Sequence, residues 1–184
     1  MYTRKYKFES FIVMFFLTVN VTAQEGWLMQ NSGTSNHLYS VCFVNKDTGW
    51  VVGGSYDKSS IILKTTDGGS NWYPQNSGTN DCLYSVHFID AKTGWAVGGD
   101  DWGPEDQNIL HTNDGGLNWT IQYNHPHVIL YSVFFTDADT GWVVGADYTM
   151  VPAIHFILHT TDGGKNWVQQ GYYHITPPPH LLVV

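Results

Sequence analysis

The chain has 184 residues, enough for one ordinary domain with a sizeable core. Aromatic residues make up 15% and charged residues only 13%, which excludes a disordered, solvating chain. The formal net charge of −8 works against nucleic acid and anionic membranes as partners, because both would be repelled.

The N-terminus reads as a secretory signal. Arg4, Lys5 and Lys7 precede an apolar run over residues 11–19, and Val21-Thr22-Ala23 offers small residues for cleavage after Ala23. That run is too short to cross a bilayer, which needs about 20 apolar residues. Loss of residues 1–23 removes three basic and one acidic residue, leaving a mature chain of charge −10.

Next comes Gly26-Trp27-Leu28-Met29-Gln30-Asn31-Ser32-Gly33, which copies the later Asn71-Trp72-Tyr73-Pro74-Gln75-Asn76-Ser77-Gly78. The described sequence therefore starts on the last part of a repeat. Three full repeats follow. They open with Leu38-Tyr39-Ser40-Val41, Leu83-Tyr84-Ser85-Val86 and Leu130-Tyr131-Ser132-Val133, and continue to Thr48-Gly49-Trp50, Thr93-Gly94-Trp95 and Thr140-Gly141-Trp142. Each closes on an Asp-Gly-Gly turn, with its aspartate at position 67, 114 or 162, so the spacings are 47 and 48 residues. Tandem copies at such a period are structural units stacked side by side.

Four strands fit one repeat, predicted in the first copy over residues 38–43, 50–53, 61–65 and 72–75. Asn45-Lys46-Asp47-Thr48-Gly49 and Asp67-Gly68-Gly69 supply the turn chemistry between them. Pro74 cannot donate to a ladder, so the fourth strand belongs on the outer edge. Four-stranded antiparallel units with fixed Gly and Trp columns predict a β-propeller. The expected fold is all-β and partial: a propeller with three full blades (about 38–77, 83–124 and 130–173) plus fragments at both ends, within a domain spanning 24–184. Three blades do not close a ring, since propellers have roughly four to eight. Leu181-Leu182-Val183-Val184 reads as the start of a further first strand. A truncated propeller is one expectation, and self-association through open blade edges the other.

Of eight tryptophans, Trp27, Trp72, Trp119 and Trp167 fill one repeat column and Trp50, Trp95 and Trp142 another, as packing devices would. Trp102 lies outside both. In the Asp-Gly-Gly turns, the sequence predicts a structural clasp. Its residues are Thr65, Asp67, Gly69 and Trp72, then Thr112, Asp114, Gly116 and Trp119, then Thr160, Asp162, Gly164 and Trp167. The carboxylate should accept hydrogen bonds from turn N–H groups and from the threonine hydroxyl, while the glycines take backbone angles a side chain would forbid. One aspartate per turn falls short of the 6–8 oxygen ligands of a calcium site.

These residues carry a resemblance. Thr-x-Asp-x-Gly-x-x-Trp is similar to the Asp-box, or bacterial neuraminidase repeat. The longer pattern, running from Leu-x-Ser-Val-x-Phe through Thr-Gly-Trp-x-Val-Gly to the Asp-Gly-Gly turn, resembles the repeats of the photosystem II stability and assembly factor family. It covers residues 26 to about 173. The resemblance implies a propeller that binds a partner, and in that family a basic arginine patch. Sialidases with Asp-boxes likewise hold their substrate carboxylate with arginines. Here Arg4 is the sole arginine and lies in the leader, and lysine replaces the bidentate guanidinium poorly.

Other glycosidases need two carboxylates about 5–9.5 Å apart. Asp100, Asp101, Glu105 and Asp106 share one segment but read as a solvated loop. His111 and His159 share a column with Lys64, and His87 shares one with Cys42 and Phe134, so they read as drifted repeat positions. His125-Pro126-His127 is a loop rather than a chelate, and neither metal nor cofactor is expected. Register sets Cys42 and Cys82 about five strand residues, roughly 16 Å, apart. A disulfide needs about 7 Å or less between Cα atoms, so both are expected as small buried residues.

The first-to-second and third-to-fourth strand turns should share one end of the blades, and the remaining loops the other. That second end varies between repeats, and loops on a rigid scaffold are where binding concentrates. The candidate binding residues there are Tyr56, Asp100, Asp101, Trp102, Asp147 and Tyr148. The expected function is a secreted or periplasmic, non-catalytic scaffold binding protein or carbohydrate. The alternatives are a glycoside hydrolase or sialidase-like fragment and a structural repeat of a larger cell-surface protein.

Overall fold

The structure is a computed structural model that describes residues 26, 28–55, 59–99, 109–149 and 151–170. The described residues form three four-stranded antiparallel sheets, one per repeat. Blade one contains β1 (His37–Phe43), β2 (Gly49–Ser55), β3 (Ser59–Thr65) and β4 (Tyr73–Gln75). Blade two contains β5 (Leu83–Phe88), β6 (Gly94–Gly98), β7 (Ile109–Thr112) and β8 (Thr120–Tyr123). Blade three contains β9 (Val128–Phe135), β10 (Gly141–Asp147), β11 (Ile154–Thr160) and β12 (Val168–Gln170). The strands follow one another in spatial order, and Pro74 lies on the edge strand β4.

The inner strands β1, β5 and β9 run beside one another across blades. Side chains, not ladders, tie them together. The Val86 N–H donates to Ser40 Oγ at 3.3 Å, and the Val133 N–H donates to Ser85 Oγ at 3.2 Å. The Phe88 N–H donates to Cys42 Sγ at 3.3 Å. Neither cysteine is in a disulfide; Cys82 is buried, and Cys42 is half-buried, packing against the core between blades one and two while its sulfur accepts the Phe88 N–H.

Between blades lie two copies of one apolar interface. Trp50, Val52 and Ile62 of blade one meet Leu83, Val86 and Phe88 of blade two. Trp95, Val97 and Ile109 of blade two meet Leu130, Val133 and Phe135 of blade three. The indoles lie flat on the next blade's phenylalanines, with centroids 3.6 Å apart for Trp50–Phe88 and 3.5 Å for Trp95–Phe135. The other tryptophan column closes each phenylalanine from within its own blade. Trp72, Trp119 and Trp167 stand edge-on to Phe43, Phe88 and Phe135 at 5.9–6.0 Å. The tryptophan columns are thus a two-sided clamp on Phe88 and Phe135, while Phe43 of blade one meets Trp72 on one side and is 43% exposed. Gly49, Gly94 and Gly141 leave room for those rings, since a Cβ would meet them at 2.4–2.7 Å.

Candidate functional site: a row of bulged tyrosines

The three Asp-Gly-Gly turns are near copies. Thr65, Thr112 and Thr160 are buried, and each donates its hydroxyl to the aspartate two residues on, at 2.8 Å. Each threonine oxygen also accepts the second glycine's N–H at 2.9 Å. Asn71, Asn118 and Asn166 complete the clasp, which the sequence reading overlooked. Their backbone N–H donates to one carboxylate oxygen at 2.9–3.0 Å and their side-chain amide to the other at 2.6–2.8 Å. Hydrogen bonds to the charged form lower a carboxyl pKa. The Asn118 backbone and side chain bring Asp114 down to about 2, and the Asn166 side chain and backbone do the same to Asp162. Asp67 is lowered for the same reason, by Asn71. Both oxygens of each aspartate are committed within the turn. The glycines take φ of 70° to 88°, the left-handed region that side chains avoid.

The first glycine's carbonyl of each turn receives a donor from the preceding repeat. Gln30 Nε2 donates to the Gly68 carbonyl at 3.1 Å, and Gln122 Nε2 to that of Gly163 at 2.8 Å. Trp50 Nε1 and Lys64 Nζ both donate to the Gly115 carbonyl, at 3.1 and 3.0 Å. Lys64 also lies 5.0 Å above the Trp50 ring, and His111 and His159 pack on Trp95 and Trp142 in the same column. Burial lowers the pKa of His111, and likewise of His87, which packs on Phe134. Among the described residues, no three His, Cys, Asp or Glu side chains come together as metal ligands.

Loop placement follows strand direction. The Gly68, Gly115 and Gly163 N–H groups donate to the carbonyls of Asp47, Lys92 and Asp139, joining the two repeated turns of each blade at one end. At the other end, the Gly99 N–H donates to Cys82 and the Tyr148 N–H to His127. Of the six candidate binding residues, Asp147 and Tyr148 stand at this second end. Tyr56, Asp100, Asp101 and Trp102 lie outside the described residues, as does Trp27.

What the sequence reading did not find is a bulge in every inner strand. Leu38 pairs with Gly53 and Ser40 with Val52, leaving Tyr39 as the extra residue. Tyr84 is skipped between Leu83 and Ser85, and Tyr131 between Leu130 and Ser132. A β-bulge re-aims a side chain and tightens local twist. Opposite the bulges stand Gly53, Gly98 and Gly145, where a Cβ would approach the carbonyl oxygens of His37, Cys82 and Ile129 at 1.8, 1.9 and 2.5 Å. Glycine opposite tyrosine is therefore one device, repeated three times.

The displaced tyrosines form a row. Tyr39 and Tyr84 have ring centroids 5.2 Å apart, and Tyr84 and Tyr131 6.1 Å apart. His37 extends it at one end, 6.2 Å from Tyr39. At the other end, the Tyr131 and Tyr148 hydroxyls share a hydrogen bond of 2.6 Å. The row thus reaches the loop that carries Asp147 and Tyr148. Asp147 caps its own turn through the Thr149 N–H and hydroxyl, at 2.8 and 2.6 Å. Burial raises the Tyr123 pKa, and the neighbouring Asp147 charge adds to it.

Tandem four-stranded blades, each closed by a polar clasp on a buried threonine, with a tyrosine row along the inner strands, define a repeat-built β-propeller. The chain belongs to the family described as Photosynthesis system II assembly factor YCF48, whose model matches residues 19–120 and 77–177. The solved structure of YCF48 bound to D1 peptide is 25% identical, with a TM-score of 0.57, over 79% of this chain and 46% of that one. YCF48 from Cyanidioschyzon merolae is 24% identical, with a TM-score of 0.53, over 74% and 40%. The chain therefore spans less than half the length of these propellers. Comparison with curated protein sequences gives no match.

Proposed function

We propose that this chain is an exported, non-catalytic binding propeller that holds an extended protein segment along the tyrosine row. The observation that carries the reading is the bulge repeated in β1, β5 and β9, which places Tyr39, Tyr84 and Tyr131 side by side and joins them to Tyr148. Phenol rings offer large contact areas at low entropic cost, and their faces attract cations. The sequence between the second and third strands of blades one and two carries Asp57, Asp100, Asp101, Glu105 and Asp106 against Lys58, and Asp147 ends β10. That charge favours a partner segment with lysine or arginine among apolar side chains. A related propeller bound to a peptide supports a peptide as the occupant.

The carboxylate chemistry supports a non-catalytic role. Asp67, Asp114 and Asp162 are committed to their clasps, and Asp90 and Asp137 accept turn N–H groups at 2.7–2.8 Å. The basic start, the apolar run over 11–19 and Ala23 support export to the periplasm or beyond. N-terminal sequencing of the exported protein should begin at Gln24.

A fluorescently labelled peptide array tests the binding reading, with soluble cello- and chito-oligosaccharides as a second arm. Basic, apolar peptides should bind, and the double variant Tyr84→Ala, Tyr131→Ala should weaken them at least tenfold while leaving the unfolding midpoint in place. Binding of oligosaccharides alone would transfer the row to a glycan. Peptide affinity indifferent to both tyrosines would remove the row from function.

A further inference from the structure

The inter-blade interface is built twice inside the chain, and both halves of a third copy lie on its surface. On blade three, Trp142, Val144 and Ile157 occupy the columns of Trp50, Val52 and Ile62. Trp142 is half-buried, and Val144 and Ile157 are 40% and 42% exposed, whereas their counterparts in blades one and two are fully buried. On blade one, Leu38, Val41 and Phe43 occupy the columns of Leu83, Val86 and Phe88. They are 40%, 60% and 43% exposed, against 0–5% for their counterparts. A groove of about 620 Å³ runs along the open face of blade three, lined by Val144, Phe156, Ile157 and Gln170.

We propose that these two faces join head to tail between two copies of this chain, with Phe43 of one copy lying on Trp142 of the other. The internal interfaces supply the template. Trp50 on Phe88 and Trp95 on Phe135 stack within 6° of parallel, and each is flanked by a valine and an isoleucine from one blade and a leucine and a valine from the next. The same residues stand on the two open faces, in the same six columns. Polar groups match as well. Ser132, exposed on blade three, holds the column of Ser40 and Ser85, whose hydroxyls accept an N–H from the next inner strand. Its partner would be the Val41 N–H. The Gly68 carbonyl is the port that Gly115 and Gly163 offer to the preceding blade, and a carbonyl oxygen can take two donors, as Gly115 does.

Gln30 already uses one of those positions, and by repeat register Gln170 of the second copy would take its place. Leu28 and Met29 beside it are 65% and 101% exposed, so little packing opposes that exchange. The contact is heterologous, because different patches meet, and such contacts propagate until they close a ring. The described residues of two copies make six sheets, within the roughly four to eight blades of closed propellers.

Light scattering across a protein concentration series, with one variant per face, tests the contact. Val41→Asp spoils blade one and Ile157→Asp spoils blade three. Both sites are exposed, and circular dichroism confirms folding. Should an aspartate variant fail to fold, Val41→Lys or Ile157→Lys replaces it. The unmodified protein should run at twice its monomer mass. Each variant alone should be monomeric, and an equimolar mixture should return a one-to-one dimer through its single intact pair of faces. A monomeric parent at every concentration would overturn the pairing. Variants that still dimerise alone, or a mixture that stays monomeric, would equally overturn head-to-tail pairing.

Discussion

At the scale of single residues, the chain depends on buried threonines more than on its conspicuous aspartates. Thr112 is almost fully buried, donates to Asp114 and accepts the Gly116 N–H at 2.9 Å. Thr112→Val keeps the shape and leaves that buried N–H without an acceptor. A loss of about 1–3 kcal/mol is expected in urea unfolding, the cost of an unpaired buried donor. The aspartates act through pH. The carboxyls of Asp114 and Asp162 titrate at about 2 in the folded protein, against a usual value of 3.8. A depressed folded pKa stabilises above the unfolded value, and the effect is lost as pH falls through the folded one. The unfolding midpoint should therefore decline between about pH 4 and pH 2. Asn166→Ala removes the strongest influence on Asp162, so carboxyl NMR should show Asp162 titrating at higher pH while Asp114 stays in place.

At the scale of elements, the strands were legible because turn chemistry and repeat columns agreed. Pro74 pointed to an edge strand, and Asp67-Gly68-Gly69 marked a reversal, both from local rules that hold without tertiary context. The bulges were legible only in part. Leu38, Val41 and Phe43 share one face of β1, yet the first two are three positions apart, and a regular strand would place them on opposite faces. That broken alternation is the trace of Tyr39 looping out. It was passed over because a four-residue run with one tyrosine reads as ordinary strand. The role of Asn71, Asn118 and Asn166 was missed because asparagine in a turn suits many local bonds. Tyr56 and Trp102 fall outside the described residues, while Tyr148, also singled out from its loop, stands at the end of the row. A direct check on the bulge is Gly98→Ala. Its Cβ would come within 1.9 Å of the Cys82 carbonyl oxygen, a backbone atom that cannot swing away. The expected cost is about 1–3 kcal/mol, typical of overpacking. Near-ultraviolet circular dichroism should change as Tyr84 is displaced, and unaltered stability would mean that the bulge yields freely.

At the scale of the whole molecule, the apolar interfaces among the described residues join blades adjacent in sequence, so stability is approximately a sum of blade terms and interface terms. Among the described residues, blade two has an apolar interface on both faces, and blades one and three have one each. Amide protection should follow that count. The central strands β6 and β7 are covered on both sides and should exchange only through global unfolding. β1, with Val41 60% exposed, and β12, whose three residues are all exposed, should exchange through local opening at lower cost. Concentration supplies a second axis. Coverage of the Phe43 and Trp142 faces by another copy adds an interface term to the outer blades and nothing to blade two. Exchange in β1 and β10 should then slow as protein concentration rises, while β6 and β7 stay constant. If protection were equal in all three blades at high dilution, the molecule would be unfolding as one cooperative unit, and the nearest-neighbour description would fail.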